Sequence, residues 1–387
     1  MNIKILTNGR FHHFHLARQL HKRKVLDEIY SNYPRFKLKN ESGIPRYKIK
    51  TYPYYKVAYL LFNKYLGKIF PSFIDYLNNL SSRKLALKVS KNLKNSTALI
   101  ATSRSGLEAG RKIKLLNGIF ICDRTSSHIL FQKKILTKEY KKFNLVFNQI
   151  SKETISRELS EYKEADLISV PSKFAYNTFI KEGIDKKKLF LNPLGVDLRR
   201  FKPRQKKKST KFIVLYVGQI SIRKGIFYLL NAFKKLNIKN KELILIGDVE
   251  KKIEKKFFKY LSNEIKHVSD QKKAKSELPK YYSNANVFVL PSIEDGFGLV
   301  MTEALACGCP VIATTNTGAS SIFKDGKAGF IIKPRSQKEI LKSIKKIYRN
   351  KKLQKKMSQN AINISKNIGG WDDYGKRIFS KLRKINK

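Results

Sequence analysis

The chain has 387 residues, 42% of them apolar and 11% aromatic, which is enough to bury two substantial cores and excludes a wholly disordered polymer. Three cysteines (Cys122, Cys307 and Cys309) are too few to staple a chain of this size, so a reducing compartment is expected. Lys and Arg total 82 against 29 Asp and Glu, a formal charge of +53 that invites an anionic partner: nucleic acid, a membrane surface or a polyanionic substrate.

The first predicted element is a strand at Ile3–Leu6, followed by the turn Thr7-Asn8-Gly9-Arg10 and a helix ending near His21. This opening is not a charged stretch followed by an apolar one, so no signal peptide is expected. His12 and His13 are adjacent and are expected on different sides of that helix, which argues against a metal site. The segment 57–70 sets Tyr59, Leu60, Phe62, Leu66, Ile69 and Phe70 among Lys56, Lys64 and Lys68. It is too short and too charged to span a bilayer, but a helix of this kind can lie in an anionic interface. An ordinary amphipathic helix packed on its own sheet reads equally from the same residues. Strands are predicted at Ala98–Ala101, Gly118–Cys122 and Leu167–Val170. The second of these ends in a polar loop, Cys122-Asp-Arg-Thr-Ser-Ser-His128.

A boundary is expected near Asn192–Gln205, which holds Pro193, Gly195 and Pro203 ahead of a new strand. Strands at Ile213–Val217, Leu243–Ile246, Val287–Leu290, Val311–Ala313 and Phe330–Ile332 follow. Short apolar runs separated by helical spacing predict parallel sheets covered on both faces, and two such series predict two doubly wound domains. Ligands then bind at the carboxyl ends of the strands.

Two of those strand ends carry chemistry. After Val217 come Gly218-Gln-Ile-Ser-Ile-Arg223-Lys224-Gly225 and a helix. Cations are disfavoured at the positive end of a helix, and a diphosphate between them would offset the repulsion. Two more surface cations in a basic chain is the plainer reading. After Leu290 come Pro291-Ser-Ile-Glu294-Asp295-Gly-Phe297-Gly298 and a helix from Leu299 that carries Glu303. Two glycines before a helix allow close approach of a ligand to free N–H groups. Asp295 and Glu303 are expected to look into one pocket, although the helix dipole alone favours acids there. The chain contains no D-x-D, P-loop, G-x-S-x-G or H-E-x-x-H motif.

The run from Pro291 to Ala313 resembles the E-x7-E signature of retaining glycosyltransferases of family 4, with Asp295 in place of the first acid and Glu303 as the second. Ala165–Ser172, Asn192–Asp197 with Phe201 and Pro203, and Gly218–Gly225 resemble three further motifs of that family in order. The likeness covers about residues 165–335 well and the first half loosely. It implies the GT-B fold: two Rossmann-like domains facing across a cleft, with an acceptor domain over 1–195, a nucleotide-sugar domain over 196–365 and a C-terminal helix over 366–387 crossing back. It implies retaining transfer of a hexose from a UDP- or GDP-sugar to a saccharide or lipid-linked acceptor, in surface polysaccharide or glycoconjugate synthesis, without metal or other cofactor. By the same resemblance Arg223 and Lys224 hold the diphosphate and Glu303 the ribose. Asp295 or Glu294, with the amides of Phe297, Gly298 and Leu299, grips the sugar. Gly9 and Arg10 approach from the other domain, Gly218 opens the phosphate loop, and His128 is the match to a histidine near the donor sugar.

The resemblance places the protein in the cytoplasm or on the inner face of a membrane. The charge is diffuse, +25 over residues 1–200 and +28 over 201–387, and Lys outnumbers Arg 64 to 18, so nucleic acid is not the expected partner. A catalytically inactive subunit of the same family is the alternative, against which the intact Asp295/Glu303 and Arg223/Lys224 set argues.

Overall fold

The computed structural model describes residues 1–387 except 40, 67–69, 207–208, 269 and 386–387. The first half builds a seven-stranded sheet from β1 (Ile3–Thr7), β2 (Leu26–Ser31), β3 (Ile49–Thr51), β4 (Ala98–Thr102), β5 (Ile119–Asp123), β6 (Leu167–Val170) and β7 (Leu189–Leu191). Its order is β3-β2-β1-β4-β5-β6-β7. The second half builds a six-stranded sheet from β8 (Phe212–Val217), β9 (Lys241–Ile246), β10 (Ile265–Val268), β11 (Val287–Leu290), β12 (Val311–Thr314) and β13 (Gly329–Ile332). Its order is β10-β9-β8-β11-β12-β13. Every recorded pairing is parallel. In each sheet the chain winds to one edge and then to the other. The strand order reverses beside β1 and β8, where ligand crevices form in such sheets.

All nine expected strands are present within a residue or two. Four unexpected strands join them, each for a physical reason. β2 carries Asp27 and Glu28, which Lys4 of β1 neutralises at 2.7 and 2.8 Å. β10 carries Lys266, 2.7 Å from Glu242 of β9. β3 and β7 are three-residue edges, too short for a periodic signal.

The last helix, Trp371–Ile385, packs on the first half. Tyr374, Ile378 and Leu382 are fully buried in one cluster with Ile3, Ile5, Phe14 and Leu16. Arg377 donates to Asn192 Oδ1 at 2.7 Å and to the Pro193 carbonyl at 2.5 Å, which fixes the helix to the connection between the sheets. The returning chain crosses that connection so closely that a Cβ on Gly195 would lie 2.5 Å from the backbone of Gly370.

Helix Tyr54–Leu66 pairs with helix Pro71–Ser90, which buries Leu85, Ala86 and Val89 in the core but mixes polar and apolar residues on both faces nearer its start. Asn79, Ser81 and Ser82 are buried, while Tyr54, Leu61, Tyr65, Phe73 and Tyr76 are exposed. The inward polar groups are satisfied at the strand tips: Asn8 donates to Ser82 Oγ at 3.0 Å, and Asn32 donates to Asn8 Oδ1 at 3.0 Å and to Ser81 Oγ at 3.1 Å. Lys56, expected on the outer face, instead donates to Asn78 Oδ1 at 2.9 Å and lies over the ring of Tyr59. Burial and the neighbouring Arg104 lower its pKa to about 8. Leu60, Phe62 and Phe70 are exposed, whereas Tyr59 and Leu66 are half-buried, so the segment divides between the two readings. Lys68, Ile69 and the side chain of Lys64 lie outside the described residues.

Gly225 holds a φ of +68°, and a Cβ there would stand 2.0 Å from the Pro291 carbonyl oxygen. Gly183 has a similar φ of +84° with open space around it. Gly225→Ala therefore adds a backbone collision to the ordinary left-handed cost of about 1 kcal/mol. Its thermal midpoint should fall well below that of Gly183→Ala in parallel scans; equal midpoints would contradict the tight packing of the two loops.

Candidate functional site at the facing strand ends

β8 and β11 are neighbours, so the loops that leave their carboxyl ends pack against each other. The Ile293 amide donates to the Arg223 carbonyl at 2.9 Å, and Gly225, with no side chain, lets the loops touch. This contact sets two cations of one loop beside two acids of the next. Lys224 Nζ lies 2.5 Å from Asp295 Oδ2, and Arg223 Nε lies 2.8 Å from Glu294 Oε2. Each cation precedes helix Ile226–Lys234, whose positive end opposes it. The acids supply the compensating charge.

The loop after β11 then turns into helix Leu299–Ala306 through Gly298, at φ +78°. Asp295 Oδ1 accepts from the amides of Phe297 at 3.4 Å and Gly298 at 3.2 Å. Phe297 is buried and Leu299 half-buried. Gly218, at φ +141°, donates its amide to the Ile246 carbonyl at 2.9 Å and starts the phosphate-loop candidate. Glu303 sits in the helix, where Tyr282 donates to its Oε2 at 3.1 Å. Burial pushes its pKa up to about 7, only partly opposed by Tyr282 and Arg200. Asp295 is thus held by Lys224 and loop amides, and Glu303 by the Tyr282 hydroxyl.

The first half meets these loops from the ends of β5 and β6. Ser172 Oγ donates to the Gly296 carbonyl at 2.5 Å. A Cβ on Gly296 would stand 1.9 Å from the Thr125 carbonyl oxygen. Arg223 Nη2 donates to Ser126 Oγ at 3.3 Å.

Several sequence-based expectations need correction. His128 does not face the cleft. It is 1% exposed, and its Nδ1 accepts from the Leu130 amide at 3.3 Å as a helix cap. Its ring is enclosed by Tyr162 and Phe179. Burial, with Arg124 nearby, lowers its pKa to about 4, so it is a neutral core ring. Glu294 is fully buried, and its oxygens accept from Ser127, Gln132 and Arg223, which leaves no face for a sugar. Arg10 pairs with Glu41, which also takes Arg18. Gly9 packs between the rings of Phe11 and Tyr33.

His12 and His13 do not face apart. Their Nε2 atoms lie 2.6 and 3.0 Å from the same oxygen, Asp123 Oδ2 at the end of β5. At the start of a helix no preceding turn separates adjacent side chains, so both can lean over the strand ends. Burial alone would raise the Asp123 carboxyl, yet the two imidazoles hold it well below the usual carboxylate range. Burial and the neighbouring His12 lower His13 to about 4. The three side chains form the one group among the described residues with three potential metal-ligand atoms within 4.8 Å of one another. Sequence reading also missed Ser127 and Gln132 as partners of the second half; no local pattern links positions 167 residues apart.

The Glu303 shift has a pH consequence. A carboxyl whose pKa rises from about 4.5 unfolded to about 7 folded binds more protons in the native state, so it lowers stability as pH climbs through that window. The penalty is complete above pH 7 and amounts to at most about 3 kcal/mol. Glu303→Gln should therefore gain thermal stability over the wild type between pH 5 and pH 8. A pH-independent difference would contradict the buried, partly protonated carboxyl.

Residues 198–364 match the family model of the glycosyl transferases group 1. The capsular polysaccharide biosynthesis glycosyltransferase CapM of Staphylococcus aureus is 35% identical over 161 residues, 39% of this chain and 40% of that protein. The chain spans about half the length of the curated relatives it matches. Among solved structures, HepE of Anabaena in complex with UDP superposes with a TM-score of 0.72 at 17% identity, covering 99% of this chain and 100% of that one. Sucrose-phosphate synthase of Thermosynechococcus elongatus gives 0.68 at 18% identity over 100% and 99%. The fold is α/β of the GT-B type, and the segment carrying the Lys224–Asp295 and Arg223–Glu294 pairs is the segment that matches the group 1 glycosyltransferases.

Proposed function

We propose that the protein is a retaining, family 4-like hexosyltransferase that moves a hexose from a UDP- or GDP-sugar to a saccharide or lipid-linked acceptor. The observation that carries this reading is the meeting of the β8 and β11 loops. Two cations and an acid stand there at the heads of two helices, inside the segment with the family match. The second half, about 196–365, takes the nucleotide sugar, and the first, about 1–195, takes the acceptor. The UDP bound to HepE and the capsular role in the name of CapM support a nucleotide sugar and surface polysaccharide synthesis.

In this reading Lys224 exchanges Asp295 for the diphosphate and meets the charge that grows on the leaving group. Such electrostatic stabilisation is the dominant contribution in transfers of this kind. Asp295, once released, and the amides of Phe297, Gly298 and Leu299 hold the sugar hydroxyls. Glu303 holds the ribose. Arg223 adds charge through its remaining guanidinium N–H groups, and Gly218 borders the diphosphate. Glu294 and His128, being buried, are left out of the ligand contacts. The reaction needs no metal, since the phosphates have cationic side chains.

The protein works at the inner face of a membrane. The outward aromatics of the hairpin 54–90 support this, as do Lys84 and Lys88, exposed over the rings of Tyr55 and Tyr52. A lysine near an anionic surface contributes about 1 kcal/mol, and aromatics seat at headgroup depth.

Lys224→Ala should weaken nucleotide-sugar binding about 10- to 100-fold, the worth of one charge-assisted contact of about 1.5–3 kcal/mol, as measured by calorimetry. Hexose transfer by the wild type should give an α-glycoside from an α-linked donor, seen by NMR, and should survive EDTA. Loss on chelation, restored by a divalent ion, would overturn the metal-free reading and direct attention to His12, His13 and Asp123. Absence of any transfer or donor hydrolysis would favour the inactive-subunit alternative.

The membrane contact has its own test. The protein should sediment with anionic vesicles at low salt and be released at high salt. Leu61→Ser with Tyr65→Ser should weaken sedimentation and leave donor binding intact. A wild type indifferent to anionic vesicles would contradict this placement and favour a soluble acceptor.

A further inference from the structure

The Glu294 carboxylate lies between the two halves and is satisfied from both. Oε1 accepts from the Ser127 amide at 3.1 Å and the Ser127 hydroxyl at 2.8 Å. Oε2 accepts from Gln132 Nε2 at 2.9 Å and from Arg223 Nε at 2.8 Å. Ser127 and Gln132 belong to the first half, Arg223 to the second. Glu294 is 0% exposed, so these four bonds are made without competition from water.

The network continues inward on the first-half side. Gln132 Oε1 accepts from Arg124 Nη2 at 2.8 Å. Arg124 Nη1 lies 2.7 Å from Glu158 Oε2, and the Tyr162 hydroxyl donates to Glu158 at 2.6 Å. An unbroken buried polar chain therefore runs from Arg223 to the core beneath β5 and β6. Burial opposes the charge on Glu294, but Arg223, Gln132 and Ser127 more than offset it and hold the carboxyl down at about 2. The group is anionic at any working pH.

The far end of helix Ile129–Lys141 repeats the arrangement. Tyr140 donates to Glu250 Oε1 at 2.8 Å, and Glu250 Oε2 accepts from the Ile222 amide at 3.3 Å, one residue before Arg223. Tyr228 donates to Glu139 at 2.6 Å, and Arg335 pairs with the same carboxylate. One first-half helix is thus tied to the second half at both ends, through Glu294 to Arg223 at one and through Glu250 to Ile222 at the other.

We infer that Glu294 is a positioning residue: it locks the β5-end loop of the first half to the β8-end loop of the second, setting both the angle between the halves and the direction of the Arg223 guanidinium. It acts through Ser127, Gln132 and Arg223 and not by touching a ligand. The consequence for turnover rests on the glycosyl-transfer reading above; the geometric consequence does not.

The test alters the first-half side only. Gln132→Leu removes one donor, and Gln132→Glu sets a second carboxylate against Glu294. The three native cysteines are buried, so spin labels can be placed at Lys112→Cys and Lys342→Cys, one exposed site on each half. Pulsed electron resonance should give one narrow distance distribution for the otherwise unaltered chain. Gln132→Glu should broaden or lengthen it, and Gln132→Leu should do so less. In the same variants the calorimetric Kd for UDP or GDP should stay within about threefold, while kcat for transfer falls at least tenfold. Should Gln132→Glu fail to fold, the Gln132→Leu distribution decides alone. An unchanged distribution in a folded variant overturns the lock whether or not the protein transfers sugar. A tenfold loss of nucleotide affinity in Gln132→Leu with an unchanged distribution would instead make Glu294 part of the ligand site. A shifted distribution in a protein without transferase activity would uphold the lock and count against the functional reading.

Discussion

Adjacent acids on one loop hold adjacent cations on the next, and the rest of the site depends on that match. Arg223 and Lys224 stand where a helix dipole repels them, in a chain with little negative charge to spare. Glu294 and Asp295 supply it at 2.8 and 2.5 Å. The two pairs differ in burial and therefore in use. The Glu294 side chain is closed off from water, and its pair joins structure to structure. The Asp295 and Lys224 side chains are 13% and 19% exposed, so theirs is the pair that solvent or a ligand can reach. A carboxylate sealed from water is costly to unpair, and a pair that water reaches on both partners is less so. In the proposed reading, one dipeptide facing another divides the work of fixing the cleft and binding an anion.

The cleft itself follows from topology. Both sheets reverse order beside their first strand, so each offers a crevice at its carboxyl end. The crossing at Gly195 and Gly370, and the return of helix Trp371–Ile385 to the first sheet, tie the halves together on one side. The loops around Gly296 and Glu294 tie them together at the floor. Glycine is required where these ties press backbone on backbone, as at Gly195 against Gly370 and Gly296 against Thr125.

What the sequence discloses is what lies close together in it. The loops Gly218–Gly225 and Pro291–Gly298, the helix behind Asp295 and nine of the thirteen strands among the described residues are legible because their signals span a few residues. The direction of His128 was not: the same residue type caps a helix or faces a ligand depending on one torsion and on Tyr162 and Phe179, which sit far along the chain. The roles of Glu294 and Asp295 could not be divided by spacing, because the partners that divide them, Ser127 and Gln132, come from the other half. Adjacent histidines converging on Asp123, and a helix that buries Asn79 and Ser82 while exposing Phe73 and Tyr76, break periodic rules for tertiary reasons. Strand-end geometry in the first case and the polar strand tips facing Asn79 and Ser82 in the second decide the outcome.

In the proposed reading, the loops after β8 and β11 together hold a nucleoside diphosphate. Amide hydrogen exchange followed by mass spectrometry, with and without saturating UDP or GDP, reads this directly. Slowed exchange is expected in both 218–226 and 295–300, with little change at the β1 and β4 ends of the first sheet. Protection confined to the first half, or to neither loop at ligand concentrations that stabilise the protein, would contradict it.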